Sequence, residues 1–306
     1  MIKSFEELER KTRDRIRRKR IPRMGILFPG GKKSVQAAVR AHKDGYVVTT
    51  LIGHKRFLEE KISKANLDYE NFDRIDADSL EEAVKIGIEK VKAGELDFLM
   101  KNCLSVKELV NILNRPETGF LDKGMQASHI GVIQTDKYPK LMLLTDSSYN
   151  SISTPNVKIG NAQNAARLAN CLGNDNPKAA LLAAVEAIYP AVPVTMEEAA
   201  IAKMSERGQI KGVVIDGPLS FDVAIDNDVA KSKGIINSKV AGEADIFVAP
   251  TTAAANGVYK AMVLYAFAQS ASVIYGGNVT IASSYAVDSI ENTINSIILG
   301  AYLALE

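Results

Sequence analysis

The stretch GVVIDGPLSFDVAIDNDVAKSKGI, residues 212–235, opens with a β-branched apolar run that stops at Ile215 and gives way at once to Asp216, Gly217 and Pro218, then Ser220 and Asp222. A short apolar run followed by turn-forming residues and then a helical pattern reads as a buried strand handing over to a helix. The same unit returns in SKVAGEADIFVAPTTAAANGVYK, residues 238–260, where Ile246–Ala249 precedes Pro250 and a run of small residues. Working outward, further strands are expected at Met24–Phe28, Val47–Ile52, Phe72–Ile75, Asp97–Met100, Ile130–Ile133, Leu141–Leu144, Ala179–Ala184, Ser272–Tyr275 and Val279–Ala282. Amphipathic patterns fill the gaps between them. Strands alternating with helices predict an α/β fold with mainly parallel sheets.

Helix ends are marked as well. Ser79 with Glu82 and Thr195 with Glu198 have capping-box spacing, and Gly45 and Gly94 sit where helices end, so helices are expected near 80–93 and 196–207. A last helix near 289–304 carries Ile290, Ile294, Ile297, Ile298 and Tyr302 on one face. The polar segment DSSYNSISTPN, residues 146–156, reads as a crossing between domains. The expected division is 1–146 plus 279–306 for the first α/β domain and 147–278 for the second.

Composition limits the function classes. With 306 residues, 46% hydrophobic and 24% charged, the chain has room for two domains and is not a disordered or fibrous protein. Two cysteines and three histidines leave a Cys/His zinc site short of ligands and do not suggest a disulfide framework. The start MIKSFEELERK has no apolar core of a signal peptide and no stretch reads as a spanning helix, so a cytoplasmic protein without membrane contact is expected. Net charge is +2, yet residues 10–20 hold eight Lys/Arg against one acid. Because Phe5, Leu8, Thr12 and Ile16 fall at helical spacing, that run reads as the solvated face of a first helix in preference to a nucleic-acid arm.

Several clusters can carry chemistry. The loop GILFPGGKKS, residues 25–34, misses the Walker A spacing because Gly31 follows Gly30 where Lys is needed; its glycines serve either a turn or the approach of a phosphate to a helix N-terminus. Asp216, Gly217, Pro218 and Asp222 lie where open α/β sheets bind ligands, although a carboxylate there also suits a helix cap. Asn256 and Lys260 lie four apart on one helical face, offering an oxyanion donor and a cation, or a cap and a solvated lysine. Smaller groups are Lys101 with Asn102 at one strand end, Ser128 and His129 at a strand start, and Thr145 and Asp146 at another end.

These residues stand in longer blocks: LMK at 99–101, SH at 128–129, LLTD at 143–146, LLAAVEAIYPAVPVT at 181–195, AKMSERGQIKG at 202–212, IDGPLSFDVAI at 215–225 and VAGEADIFVAP at 240–250, then Ala255-Asn256 with Tyr259-Lys260-Ala261. In this order they resemble the phosphate acetyltransferase and phosphate butyryltransferase family, closest to its butyryltransferase branch. The resemblance implies two α/β domains with a cleft between them, similar to isocitrate and isopropylmalate dehydrogenases, and a C-terminal segment returning to the first domain. It implies a homodimer that transfers a short acyl group reversibly between coenzyme A and inorganic phosphate, with no metal, no covalently bound cofactor and an acyl kinase downstream. Lys101, Ser128, His129, Asn256 and Lys260 then become candidate catalytic residues. Thr145, Asp146, Asp216, Gly217, Pro218, Asp222, Ser284 and Tyr285 become candidates for binding substrate or the phosphates of coenzyme A.

The chain departs from the family pattern at the site. The family's Ser-Arg pair near the C-terminal end, whose Arg is taken to bind phosphate, corresponds to IASSYAVDSIEN at 281–292, with Tyr285 or Ala286 in place of the Arg. Asn102 replaces a glycine, Ala253-Ala254-Ala255-Asn256 replaces Glu-Ala-Gly-Asn, and Ser147, Ser148 and Tyr149 replace small residues. One lost charge-assisted contact costs about 1.5–3 kcal/mol. Two alternatives follow: a non-catalytic or altered-specificity paralogue that binds acyl-CoA or a phosphorylated metabolite, and acyl transfer through the Cys103 thiolate.

Overall fold

In the computed structural model, which describes residues 1–29, 32–54, 72–101 and 105–306, each expected strand is present with ends shifted by a few residues. From the N-terminus run α1 (Phe5–Arg18), β1 (Arg23–Leu27), α2 (Lys32–Lys43), β2 (Val48–Gly53), β3 (Asp73–Asp76), α3 (Leu80–Lys92), β4 (Phe98–Lys101) and α4 (Val106–Leu113). Next come β5 (Ser128–Gln134), β6 (Met142–Thr145), α5 (Pro155–Cys171), β7 (Lys178–Leu182), α6 (Pro193–Glu206), β8 (Val214–Leu219), α7 (Phe221–Ile225), α8 (Asn227–Ser232), β9 (Ile246–Val248) and α9 (Thr252–Tyr265). The chain ends in β10 (Gln269–Tyr275), β11 (Ile281–Ser283) and α10 (Ile290–Ala304).

Two units divide these elements: Phe5–Met125 with Gln269–Glu306, and Met1–Ser4 with Gln126–Ala268. The polar stretch 146–156, expected as a crossing, lies inside the second unit, because β6 before it pairs with β9 after it, Leu143 opposite Ile246.

In the first unit the strand order is β3-β2-β1-β4-β11-β10, parallel throughout except that β10 and β11 are antiparallel. Gly25 in β1 is there for space, since a Cβ would come within 2.7 Å of Leu96 and 2.9 Å of Leu99. Gly45 and Gly94 adopt φ of +76° and +71° past the ends of α2 and α3, as helix-terminating glycines do. Ser79 caps α3 by accepting the Glu82 N–H, and the Glu82 carboxylate accepts the N–H of Asp78.

The basic run of α1 has an intramolecular use. Phe5, Leu8 and Thr12 are buried, while Arg15 donates to Tyr302 O at 2.9 Å and lies 3.7 Å from the Tyr302 ring centre. Lys19 Nζ donates to Leu305 O and Glu306 O at 2.6 and 2.8 Å. Cations thus satisfy carbonyls at the C-terminal end of α10, where the helix dipole is negative. Lys19→Ala is expected to lower stability by about 0.5–1.5 kcal/mol and to speed hydrogen exchange in the last turn of α10.

In the second unit β5 and β6 form an antiparallel pair, and β6, β9, β7 and β8 follow in that order, all parallel. The carboxyl ends of those four strands therefore share one edge. Two expectations are corrected here. Asp216, Gly217 and Pro218 do not form a turn after the strand but continue β8 to Leu219. Proline is tolerated because β8 is an edge strand whose register against β7 shifts at Ala180/Leu182, and its outward N–H groups find side chains: Ile215 N–H donates to Ser205 Oγ at 3.0 Å and Gly217 N–H to Asp216 Oδ1 at 2.8 Å. Thr195 is not an N-cap. Helix α6 starts two residues earlier, at Pro193, and the Thr195 hydroxyl donates to Val192 O and accepts from Tyr189 N–H, both at 2.8 Å.

Candidate active site

Strand β6 delivers Thr145 and then Asp146 to the shared carboxyl edge. The Asp146 carboxylate is buried and organises the loop that follows. Its Oδ1 accepts the N–H groups of Ser148 (2.9 Å) and Tyr149 (2.6 Å), and its Oδ2 accepts His129 N–H (3.0 Å) and Asn150 Nδ2 (2.8 Å). Burial pushes the Asp146 carboxyl above the usual range, and these donors pull the other way. The antiparallel pairing of β5 with β6 is what sets Ser128 and His129 beside Asp146.

Ser128 and His129 are both buried. Ser128 Oγ donates to Asn161 Oδ1 (2.8 Å) and accepts from Asn164 Nδ2 (2.7 Å), two residues of α5. His129 Nδ1 is hydrogen-bonded to Ser147 Oγ at 2.9 Å. Asn161 Oδ1 also accepts from Gln126 Nε2 (3.0 Å) and Asn150 Nδ2 (3.1 Å). One carbonyl oxygen thus joins the entry to β5, the loop after β6 and α5.

Helix α9 closes the same place. It begins after β9 with Thr251 as its cap, Thr252 Oγ1 donates to Asn150 O at 2.5 Å, and Asn256 Nδ2 donates to Ser147 O at 3.2 Å. Ser128, His129, Thr145, Asp146 and Asn256 therefore belong to one cluster, whereas Lys260 is exposed on α9. Within the cluster the buried hydroxyls Thr145 Oγ1 and Ser148 Oγ have no hydrogen-bond partner among the described residues.

The remaining second-unit candidates lie elsewhere in that unit. Asp222 sits past the end of β8 with Glu186, Ser220 and Lys233: Lys233 Nζ is 2.9 Å from Asp222 and 3.2 Å from Glu186, and Ser220 Oγ contacts both carboxylates. The Ser220 hydrogen bond and the Lys233 ammonium bring the Asp222 carboxyl down to about 2. Asp216 and Gly217 line a cleft of about 510 Å3 between α6, β8 and residues 237–240, and Pro218 is buried. In the first unit Lys101 ends β4, 4% exposed, and Ser284 and Tyr285 follow β11, with Tyr285 N–H donating to Asp288 Oδ2 at 2.7 Å. Gly30, Gly31, Asn102 and Cys103 lie outside the described residues. Among the described residues no three His, Cys, Asp or Glu side chains are grouped to hold a metal ion, and no helix is long and apolar enough to cross a membrane.

Sequence reading missed Gln126, Asn150, Asn161 and Asn164. The available signal was the pair of asparagines three apart in PNVKIGNAQNAARLANC, on a buried helix face that otherwise carries Lys158, alanines and a leucine.

This α/β fold is shared with solved phosphotransacylases. A solved branched-chain phosphotransacylase from Enterococcus faecalis V583 superposes with a TM-score of 0.77, at 22% identity, over 92% of this chain and 99% of that one. The family described as phosphate acetyl/butaryl transferase matches residues 79–301, and the chain belongs to that family. It is 31% identical to a phosphate butyryltransferase of Clostridium acetobutylicum over 99% of both chains. It is 35% identical to a phosphate acetyltransferase of Thermotoga maritima over 88% of this chain and 91% of that one.

Proposed function

We propose that this protein is a phosphate acyltransferase that moves a short acyl group between coenzyme A and inorganic phosphate. The observation that carries the reading is the end-to-end correspondence with a phosphate butyryltransferase, 99% of each chain. A phosphate oxygen attacks the thioester carbonyl carbon, the C–S bond breaks, and the thiolate leaves with the proton given up by phosphate, so the products are an acyl phosphate and free coenzyme A. Negative charge develops on the carbonyl oxygen, which hydrogen-bond donors held in advance stabilise. The Thr145 and Ser148 hydroxyls and the Asn256 amide suit that task, and the hydrogen bonds of Asp146 hold the loop that carries them.

The acyl group is taken to be butyryl-like or acetyl, and the protein to act as a cytoplasmic homodimer feeding an acyl kinase. Thiol release from acetyl-, propionyl-, butyryl-, isobutyryl- and longer acyl-CoAs, with and without phosphate, tests the reading. Phosphate-dependent release with one preferred acyl-CoA is expected. Release that ignores phosphate, or none at all, would sink it. Sedimentation at twice the chain mass of 33.1 kDa is expected for the dimer.

A second reading, a binding protein without turnover, is favoured by one observation: the loop after β11, residues 284–289, contains no Lys or Arg. A silent wild type in which Ala286→Arg creates turnover would support it.

A further inference from the structure

We propose that Lys33, at the start of α2, provides the cation that binds the phosphate substrate, an assignment that rests on the acyl transfer proposed above. The argument begins with strand direction. In the first unit β1, β4 and β11 are mutually parallel, Ile26 and Ala282 both standing opposite Met100. Their carboxyl ends lie on one edge, and open α/β sheets bind ligands at such an edge. Three things emerge there: α2 after β1, Lys101 as the last residue of β4, and loop 284–289 after β11.

A phosphate dianion needs permanent positive charge, and the loop has none of its own. Its single charged residue, Asp288, is acidic, buried, and accepts the N–H of Tyr285. Lys33 is an exposed residue whose ammonium nevertheless reaches this loop, lying 3.3 Å from Ala286 O and 3.4 Å from Asp288 O. Both acceptors are neutral carbonyls, and among the described residues no carboxylate pairs with Lys33. By contrast, Lys140, Lys158, Lys178 and Lys233 each stand against a carboxylate and have their charge offset. Two long hydrogen bonds hold the Lys33 head weakly on the loop, so exchanging them for charge-assisted bonds to phosphate oxygens is favourable. A flexible ammonium acts as a point charge and does not need the fixed fork of an arginine.

The test is titration calorimetry of inorganic phosphate into the full chain, with steady-state kinetics in parallel. Lys33→Ala and Lys33→Gln are expected to weaken phosphate binding and raise KM for phosphate about ten- to a hundredfold, with KM for acyl-CoA unchanged. Lys33→Arg is expected to stay within a few-fold of wild type. A merely structural lysine would change the urea midpoint without this selective effect on phosphate. Equal phosphate affinity in wild type and Lys33→Gln overturns the assignment, as does a wild type that binds no phosphate. If the wild type binds phosphate but transfers no acyl group, the acyl-transfer reading fails while the titration still decides the role of Lys33.

Discussion

Asp146→Ala is expected to abolish phosphate-dependent thiol release and to lower stability by roughly 3–6 kcal/mol, measured by urea denaturation. The carboxylate accepts three backbone N–H groups, those of His129, Ser148 and Tyr149, and one amide N–H of Asn150. Removing it strands those donors in a buried place, where each unsatisfied group costs about 1–3 kcal/mol before the loop relaxes. Asp146→Asn is informative because it keeps the shape. One of its two oxygens becomes an NH2 facing N–H donors, so it should retain the fold at reduced stability and still lose most activity. Wild-type activity in Asp146→Asn would show that the loop geometry does not depend on this carboxylate.

Lys158→Met is expected to cost about 3–5 kcal/mol, whereas the double replacement Lys158→Met with Glu198→Leu should come within about 2 kcal/mol of wild type. Lys158 on α5 is 2% exposed and Glu198 on α6 is fully buried, with Nζ 3.1 Å from Glu198 Oε1 and 3.1 Å from Glu197 Oε1. One ammonium faces two carboxylates, and Glu198 Oε2 finds no hydrogen-bond partner among the described residues. Breaking such a pair leaves a charge buried alone, while replacing both members removes the desolvation cost along with the attraction.

The same trio predicts a pH dependence. Burial pushes the Glu198 carboxyl from 4.5 up to about 7, partly opposed by the Lys158 ammonium. The folded protein therefore holds this proton more tightly than the unfolded chain does. Stability from this group is greatest below about pH 4.5, falls as pH rises toward 7 and levels off above, by about 3 kcal/mol in all. Glu198→Gln should flatten that slope in a series of urea melts. Parallel slopes in wild type and variant would rule the trio out as its source.

How much of this was legible depends on the range of the interaction. Most strands could be found because a buried strand is a short apolar run, a local property, whereas β3, Asp73–Asp76, is a mostly exposed strand found only through the apolar residues Phe72 and Ile75. Gly45 and Gly94 were legible for the same reason, a positive φ being a demand that one residue meets. The cap at Thr195 was misplaced because its spacing also fits an internal helical threonine bonded back to Tyr189, and Pro193 decided the start. Asp216–Pro218 read as a turn because Gly-Pro breaks local patterns, yet Ser205, ten residues before Ile215, supplies the partner that keeps β8 extended.

The amino-acid sequence by itself determined the α/β class, the order of strands and helices along the chain, and the family through ordered blocks, because all three are written in neighbouring residues. Only the tertiary structure decided that Asp146 anchors a loop together with His129 and Asn150, that Asn161 ties α5 to Ser128, and that the basic run of α1 caps α10. Lys158 and Glu198 are forty residues apart in the chain, and Lys33 and Ala286 are 253 apart. No periodicity or spacing rule connects such positions. They meet because burying the apolar faces of the sheets fixes where helices pack, and the polar groups carried along must then find partners wherever the packing has put them.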